Sequence, residues 1–172
     1  MLDNEIVKEF VDESKALIKD LVDLLEDIEG DFTQVDKLAD YGNRIDRIMG
    51  GAKSLAQLAD DDHALYLISD YAALCKAVGY KASQIKNNIQ FFNICVALLL
   101  DATENLDALI DQIDIKASLL RSQVSNTFIE RVRWVSSQFS KDYRETVDTP
   151  QQDDQKAMNQ DEIDDLMKKL GF

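Results

Sequence analysis

Residues 40–56, DYGNRIDRIMGGAKSLA, decide the fold because their apolar residues recur at the spacing of an α-helix. Steps of three or four residues place these apolar side chains on one face of the helix. They are Tyr41, Ile45, Ile48, Ala52 and Leu55. The polar residues between them form the opposite face. The stretch therefore predicts one amphipathic helix of a helical bundle.

The same periodicity extends through most of the chain. It predicts a first helix that ends near Gly30, a third from about Asp62 to Val78 that stops at Gly79, and a fourth from about Lys81 to Ile115. A fifth predicted helix carries the stripe Leu120, Val124, Phe128, Trp134, Val135 and Phe139. No window alternates with period two for long enough to be a strand. Short connections between amphipathic helices favour an all-α fold, an antiparallel bundle of about five helices over residues 1–147.

The composition changes after this bundle. Residues 148–158 contain the chain's only proline and are rich in Gln and Asp, which is typical of a flexible linker. Residues 159–172 then predict a short C-terminal helix, with Asn159 as N-cap, Glu162 completing a capping box and Gly171 after the last turn. Its apolar stripe must dock, either on the chain's own bundle or in the groove of a partner.

Charge and composition narrow the function. A net charge of -14 over 172 residues argues against nucleic-acid binding, which depends on Lys and Arg, and points to a protein partner. The N-terminus has acids where a signal peptide has bases, and the longest apolar run is too short to span a bilayer. We therefore expect a cytoplasmic chain without membrane contact. Cys75 and Cys95 lie among apolar residues, which predicts buried thiols and no metal site.

Residues 160–172, QDEIDDLMKKLGF, resemble the C-terminal peptide of the CheZ phosphatase family. The acids and apolar anchors agree in order, and the stretch closes on Leu-Gly-Phe as that peptide does. The CheZ peptide docks on the response regulator CheY, so the resemblance implies that this tail binds a CheY-like regulator. The implied contact residues are Ile163, Leu166, Met167, Leu170 and Phe172. The rest of the chain does not resemble the long helical hairpin of CheZ.

Residues 7–147 resemble histidine phosphotransfer domains, especially the first domain of the kinase CheA. In that family a His is followed three residues on by Lys and then by Gly. In the stretch DRIMGGA, Asp46 stands in place of the histidine and Met49 in place of the lysine, followed by Gly50 and Gly51. The resemblance implies the fold and a regulator-docking face, without a phosphohistidine.

The predicted docking face is the polar side of the helix at residues 40–56. It includes Asp40, Asn43, Asp46 and Arg47, with Gly50 and Gly51 as a low surface beside them. The same stretch resembles the catalytic helix of the CheC and CheX phosphatases, in which an acid and an Asn three residues later precede small residues. The resemblance implies that Asn43 orients a water for attack on the regulator's aspartyl phosphate and that Asp40 engages the regulator's lysine. It implies no cofactor of the chain's own, because the regulator supplies its own Mg²⁺.

These features predict an auxiliary chemotaxis phosphatase that binds a CheY-like response regulator and hydrolyses its aspartyl phosphate. One alternative is a non-catalytic adaptor that sequesters the regulator through the same tail and face. Another is a structural bundle whose tail packs on itself. Asp101 and Asn105 form a competing acid and amide pair at the CheZ spacing of four, with Asn in place of Gln. The sequence leaves open which regulator is bound and whether the chain forms a homodimer.

Overall fold

A computed structural model describes residues 2–146 and 160–171 of the chain. It contains seven α-helices in this part: α1 (Asn4–Ile28), α2 (Lys37–Ala56), α3 (Ala64–Ala82), α4 (Ile89–Asp111), α5 (Ala117–Arg121), α6 (Asn126–Thr146) and α7 (Gln160–Lys169). A short 3₁₀ turn, Phe32–Gln34, lies between α1 and α2. The described residues include no strand, so the predicted all-α fold is confirmed.

Helices α1 to α4 form a closed four-helix bundle, in which each helix packs on the next and α4 packs on α1. The consecutive order and short connections make neighbouring helices antiparallel. One buried polar contact crosses the core, where the Tyr41 hydroxyl on α2 donates to Thr103 Oγ1 on α4 at 2.8 Å. Thr103 in turn donates to the Leu99 carbonyl at 2.6 Å, so both buried hydroxyl groups are satisfied.

Helices α2 and α3 approach closely because two glycines leave room for tyrosine rings. A Cβ added to Gly79 of α3 would lie 2.8 Å from the Tyr41 ring on α2, and one added to Gly42 of α2 would lie 2.7 Å from the Tyr80 ring on α3. The prediction that the third helix stops at Gly79 is therefore wrong. α3 continues to Ala82, and Gly79 permits close packing.

Helices α5, α6 and α7 cover the outer side of α3 and α4. α5 and α7 pack on α3, and α6 packs on α4 and α7. α3 is consequently enclosed on most sides, which agrees with its composition, since Asp70 is its only acid. A helix that is apolar nearly all round is typical of a buried element.

The predicted fifth helix is two helices, α5 and α6, separated by a turn at residues 122–125. The break has a local cause, because Ser125 Oγ accepts a hydrogen bond from the Phe128 amide at 3.1 Å and so caps the start of α6. Trp134, predicted in the apolar stripe, is 48% exposed, and its ring meets the edge of Phe91.

The C-terminal helix α7 docks on the chain's own bundle, against α3 and α6. Its four apolar side chains are buried: Ile163, Leu166, Met167 and Leu170. Gly171 follows the helix with φ +83°, as predicted for its end. The predicted N-cap Asn159, the linker at 148–158, and Phe172 lie outside the described residues.

The chain's most apolar long helix is α4. In the described part of the chain it is the one helix long and apolar enough to cross a membrane by length and composition. Half of this apolar stretch of α4 is buried inside the bundle, and the core helix of a folded bundle has the same apolar composition. Cys75 and Cys95 are buried thiols, as predicted, and burial raises the pKa of the Cys75 thiol to about 12.

Candidate docking face on α2

The candidate site is the outer face of α2. The core-facing residues Tyr41, Ile45, Ile48 and Ala52 are all buried, which confirms the predicted orientation of the helix. We define the α2 face as the side chains that lie opposite. It consists of Asp40, Asn43, Asp46, Arg47 and Gly50. Asp46 and Gly50 are partly buried and the other three are exposed.

The Asn43 side chain is held from the neighbouring helix. The Tyr80 hydroxyl on α3 donates a short hydrogen bond to Asn43 Oδ1. Gly42 makes this contact accessible, because any Cβ there would collide with the Tyr80 ring. An amide whose oxygen is engaged in this way presents its nitrogen, with two donors, on the other side of the group. Burial raises the pKa of Tyr80 above its ordinary 10.0, so the hydroxyl stays a donor near neutral pH.

Asp46 of the α2 face forms an ion pair with α3. The Lys76 ammonium lies 2.7 Å from Asp46 Oδ1 and 5.9 Å from the centroid of the Tyr80 ring. Lys76 therefore joins Asp46 and Tyr80 in one connected group. Neither Lys76 nor Tyr80 was predicted from the sequence. They lie four residues apart and so share one face of α3, which is the signal that would have found them.

The remaining predicted residues of this face have different surroundings. Arg47 bonds Glu13 of α1 at 2.8 Å, with both side chains more than 60% exposed, and such a pair contributes little to stability. A Cβ at Gly50 would meet nothing within 4 Å, so this glycine leaves open surface. Gly51, predicted to extend that surface beside Gly50, is also partly buried, and a Cβ there would lie 3.2 Å from the Phe10 ring of α1.

Asp40 lines an open groove of about 550 Å³ between α1 and α2. The other charged residues of this groove are Asp20, Asp23, Asp27, Lys37 and Arg44. Four carboxylates thus face two cationic side chains. A concave surface with this excess of negative charge concentrates cations, including the ammonium group of a lysine on a partner.

The competing pair lies on another side of the bundle. The Asp101 carboxylate of α4 is bonded to Arg131 of α6, and Asn105 lines the same shallow pocket of about 220 Å³. The carboxylate of this pair is therefore already engaged by a cation. The structure does not bring Asp101 or Asn105 together with the α2 face, whose side chains contact residues of α1 and α3.

The C-terminal end of α7 comes near the α3 surface that adjoins α2. Burial raises the pKa of Asp70 on α3, and Lys169 of α7, Arg121 of α5 and Lys53 of α2 act in the opposite direction. Asp70 is thus within electrostatic range of both α7 and α2. Along α2, the ten residues from Asn43 to Lys53 correspond to about 15 Å of helix. The buried stripe of α7 itself contacts α3 and α6 and is separate from the α2 face.

No protein-family model matches this chain, and neither a curated protein nor a solved structure matches it. Within residues 2–146 and 160–171, no group of three or more His, Cys, Asp or Glu side chains is arranged to hold a metal ion.

Proposed function

We propose that the protein binds a CheY-like response regulator in the cytoplasm and accelerates hydrolysis of its aspartyl phosphate. The observation that carries this proposal is the Asn43 amide, which is exposed on α2 and oriented by the Tyr80 hydroxyl. A positioned amide is what the reaction needs from an auxiliary protein, because phosphoryl transfer depends mainly on positioning and charge stabilisation.

In the proposed reaction the Asn43 amide holds a water in line with the phosphoryl group. The water oxygen forms a bond to phosphorus as the bond between phosphorus and the aspartyl oxygen breaks. The products are inorganic phosphate and the regulator's free aspartate, and the proton of the water leaves with the phosphate or to solvent. The regulator's own Mg²⁺ offsets the charge on the phosphoryl oxygens. Asp40, with the acidic groove behind it, attracts the regulator's lysine.

A non-catalytic adaptor is the second candidate. The pairing of Asp46 with Lys76 favours it, because this ion pair lies where the resemblance to phosphotransfer domains would put the histidine, and the face can dock a regulator without chemistry. Both functions use the α2 face and the C-terminal helix. They differ in whether Asn43 is required.

The test is loss of phosphate from CheY charged with acetyl phosphate, measured with wild type, Asn43→Ala and Asn93→Ala. Asn93 is an exposed asparagine of α4 and serves as the matched control. Both substitutions should change the free energy of unfolding by no more than about 0.5 kcal/mol, because each removes an exposed side chain. Asn43→Ala should slow phosphate loss by about two orders of magnitude, as removal of a single positioning group does elsewhere.

Asp40→Ala should weaken regulator binding and slow the reaction. If Asn43→Ala retains the wild-type rate, Asn43 is not the catalytic amide and Asn105 is tested next. If the wild type binds phosphorylated CheY without accelerating phosphate loss, the protein is an adaptor.

A further inference from the structure

The apolar stripe of α7 is already in use within the chain. Ile163 is 0% exposed and Leu170 is 1% exposed, and with Met167 they pack against buried apolar side chains of the bundle. The opposite side of α7 is polar and exposed: Asp164, Asp165, Lys168 and Lys169. A helix of ten residues with a single apolar stripe has one surface for docking. While that stripe contacts α3 and α6, it is closed to any partner.

We propose that docking of α7 on α3 and α6 competes with binding of α7 to the regulator, so that the chain inhibits its own tail. This inference rests on the proposed function, in which the tail binds the regulator. The docked and the regulator-bound states require the same four side chains and exclude each other. A regulator therefore meets the α2 face first and gains the tail only after α7 is displaced.

The surface beneath α7 favours the docked state in the free chain. α3 is buried over most of its length and carries a single acid. Undocking α7 exposes apolar parts of α3 and α6 together with the stripe itself, and exposing apolar surface to water is unfavourable. Apparent affinity is lowered in proportion to the fraction of molecules that are competent to bind. If only one chain in ten has α7 released, the tail binds about tenfold more weakly than it would if every tail were released.

Asp70 gives a way to change docking without altering the tail. It is half buried on α3 and interacts with Lys169 of α7, while Arg121 and Lys53 lie within electrostatic range. A lysine at this position would face three cations. Asp70→Lys should therefore repel the end of α7 and raise the fraction of released tails, while the sequence of α7 stays intact.

The experiment measures binding of CheY, with beryllofluoride as the phosphoryl mimic, to wild type, Asp70→Lys and Asp114→Lys. Asp114 is exposed in the connection between α4 and α5, and its replacement makes the same change in charge. The α2 face is identical in all three proteins, so its contribution to the affinity for CheY is the same in each and does not affect the comparison. Asp70→Lys should bind CheY about fivefold more tightly or better, which is the lower end of typical coupling between sites. Asp114→Lys should bind like wild type.

Equal affinities of Asp70→Lys and Asp114→Lys would overturn the competition. If Asp70→Lys fails to fold, Lys169→Glu places a second acid beside Asp70 from the other side of the contact. Lys169 belongs to the tail, so the substitution can also alter direct binding of the tail to CheY. The affinity of the full chain for CheY is therefore divided by the affinity of a peptide of residues 159–172 that carries the same substitution, and this ratio is compared with the wild-type ratio. An unchanged ratio overturns the inference. If the wild-type peptide does not bind CheY, the tail has no regulator-binding role, whatever the rate of phosphate loss from the full chain.

Discussion

The α2 face and the outer surface of α3 and α4 are stabilised by different kinds of contact. On the α2 face, polar side chains are paired one by one across helices, as Tyr80 is with Asn43 and Lys76 with Asp46. On the other side, three helices form a covering layer over the apolar surface of α3 and α4. They are α5, α6 and α7. The charge distribution of a helix thus indicates how many neighbours it has, since α2 is charged along one side whereas α3 carries a single acid.

The largest expected difference is between a core residue of the bundle and a residue of the covering layer. Ile45 on α2 and Ile163 on α7 are both 0% exposed. Ile45→Ala should lower the free energy of unfolding of the whole bundle by about 2–5 kcal/mol, because it leaves a cavity among four helices. Ile163→Ala loses the same side-chain atoms, but its effect is limited to the docking of α7.

Urea denaturation followed by circular dichroism measures the first loss, and hydrogen exchange of the amides in residues 160–171 measures the second. Ile163→Ala should speed exchange in α7 while the denaturation midpoint of the bundle stays near wild type. An equal shift of the midpoint by the two variants would make α7 an integral part of the core and would remove the distinction between bundle and layer.

An intermediate effect is expected at the two glycines between α2 and α3. In Gly79→Ala the new methyl group meets the fully buried Tyr41 ring, which has no space to move. Overpacking of this kind costs about 1–3 kcal/mol, and the better helix propensity of alanine returns about 1 kcal/mol, so a net loss is expected.

Gly42→Ala is the matched substitution on the open side. The Tyr80 ring is only partly buried and can turn away, so the free energy of unfolding should change less than in Gly79→Ala. The displaced hydroxyl no longer orients Asn43. Gly42→Ala should therefore slow phosphate loss from CheY while its thermal midpoint stays near wild type. A normal rate with Tyr80 displaced would mean that Asn43 needs no support from Tyr80.

The smallest effect is expected at the surface contact that joins α1 to α4. The hydrogen bond to Asp111, supported by Asp107, raises the pKa of Lys15 above 10.5. The folded state thus holds this proton more tightly, so the stabilisation is present below pH 10.5 and is lost as pH rises through the raised pKa. Because Lys15 is more than one third exposed, Lys15→Met should cost at most about 1 kcal/mol at neutral pH.

The free energy of unfolding of wild type and Lys15→Met, measured in urea from pH 7 to above pH 10.5, tests this contact. The two proteins should converge at the alkaline end. A difference that persists there would come from packing of the lysine stem and not from its charge.

Periodicity in the sequence predicted α1 and α2 well, but it began the fourth helix near Lys81, which lies in α3, whereas α4 begins at Ile89. It failed at Gly79, because a glycine that ends a helix and a glycine that admits a neighbouring ring are alike in a single sequence. It also failed between α5 and α6, because residues 122–125, Ser-Gln-Val-Ser, contain neither Gly nor Pro and the apolar spacing continues across them. At Gly79 the cause is a ring on a neighbouring helix, and at the second place it is the Ser125 cap, which apolar spacing does not describe.

The candidate site was predicted only as far as α2 itself. Spacing along one helix gives the outward direction of Asp40 and Asn43, and the structure agrees. It does not give the register of α3 against α2, which brings Tyr80 to Asn43 and Lys76 to Asp46. The sequence left open whether the stripe of α7 docks on its own bundle or on a partner, and the structure shows the bundle surface on α3 and α6.

The order of the four helices around the bundle also implies an order of folding. Most contacts of α1 to α4 join consecutive helices, and such local topologies fold fast. The contact of Lys15 with Asp111 joins residues that are 96 apart in the sequence, and it connects α1, the first helix of the bundle, to α4, the last. Closing this longer loop costs more chain entropy than forming the α2 and α3 hairpin, so we expect the hairpin to belong to the folding nucleus and the contact between α1 and α4 to form after it. Substitutions at Ile45 then slow folding, whereas those at Lys15 speed unfolding.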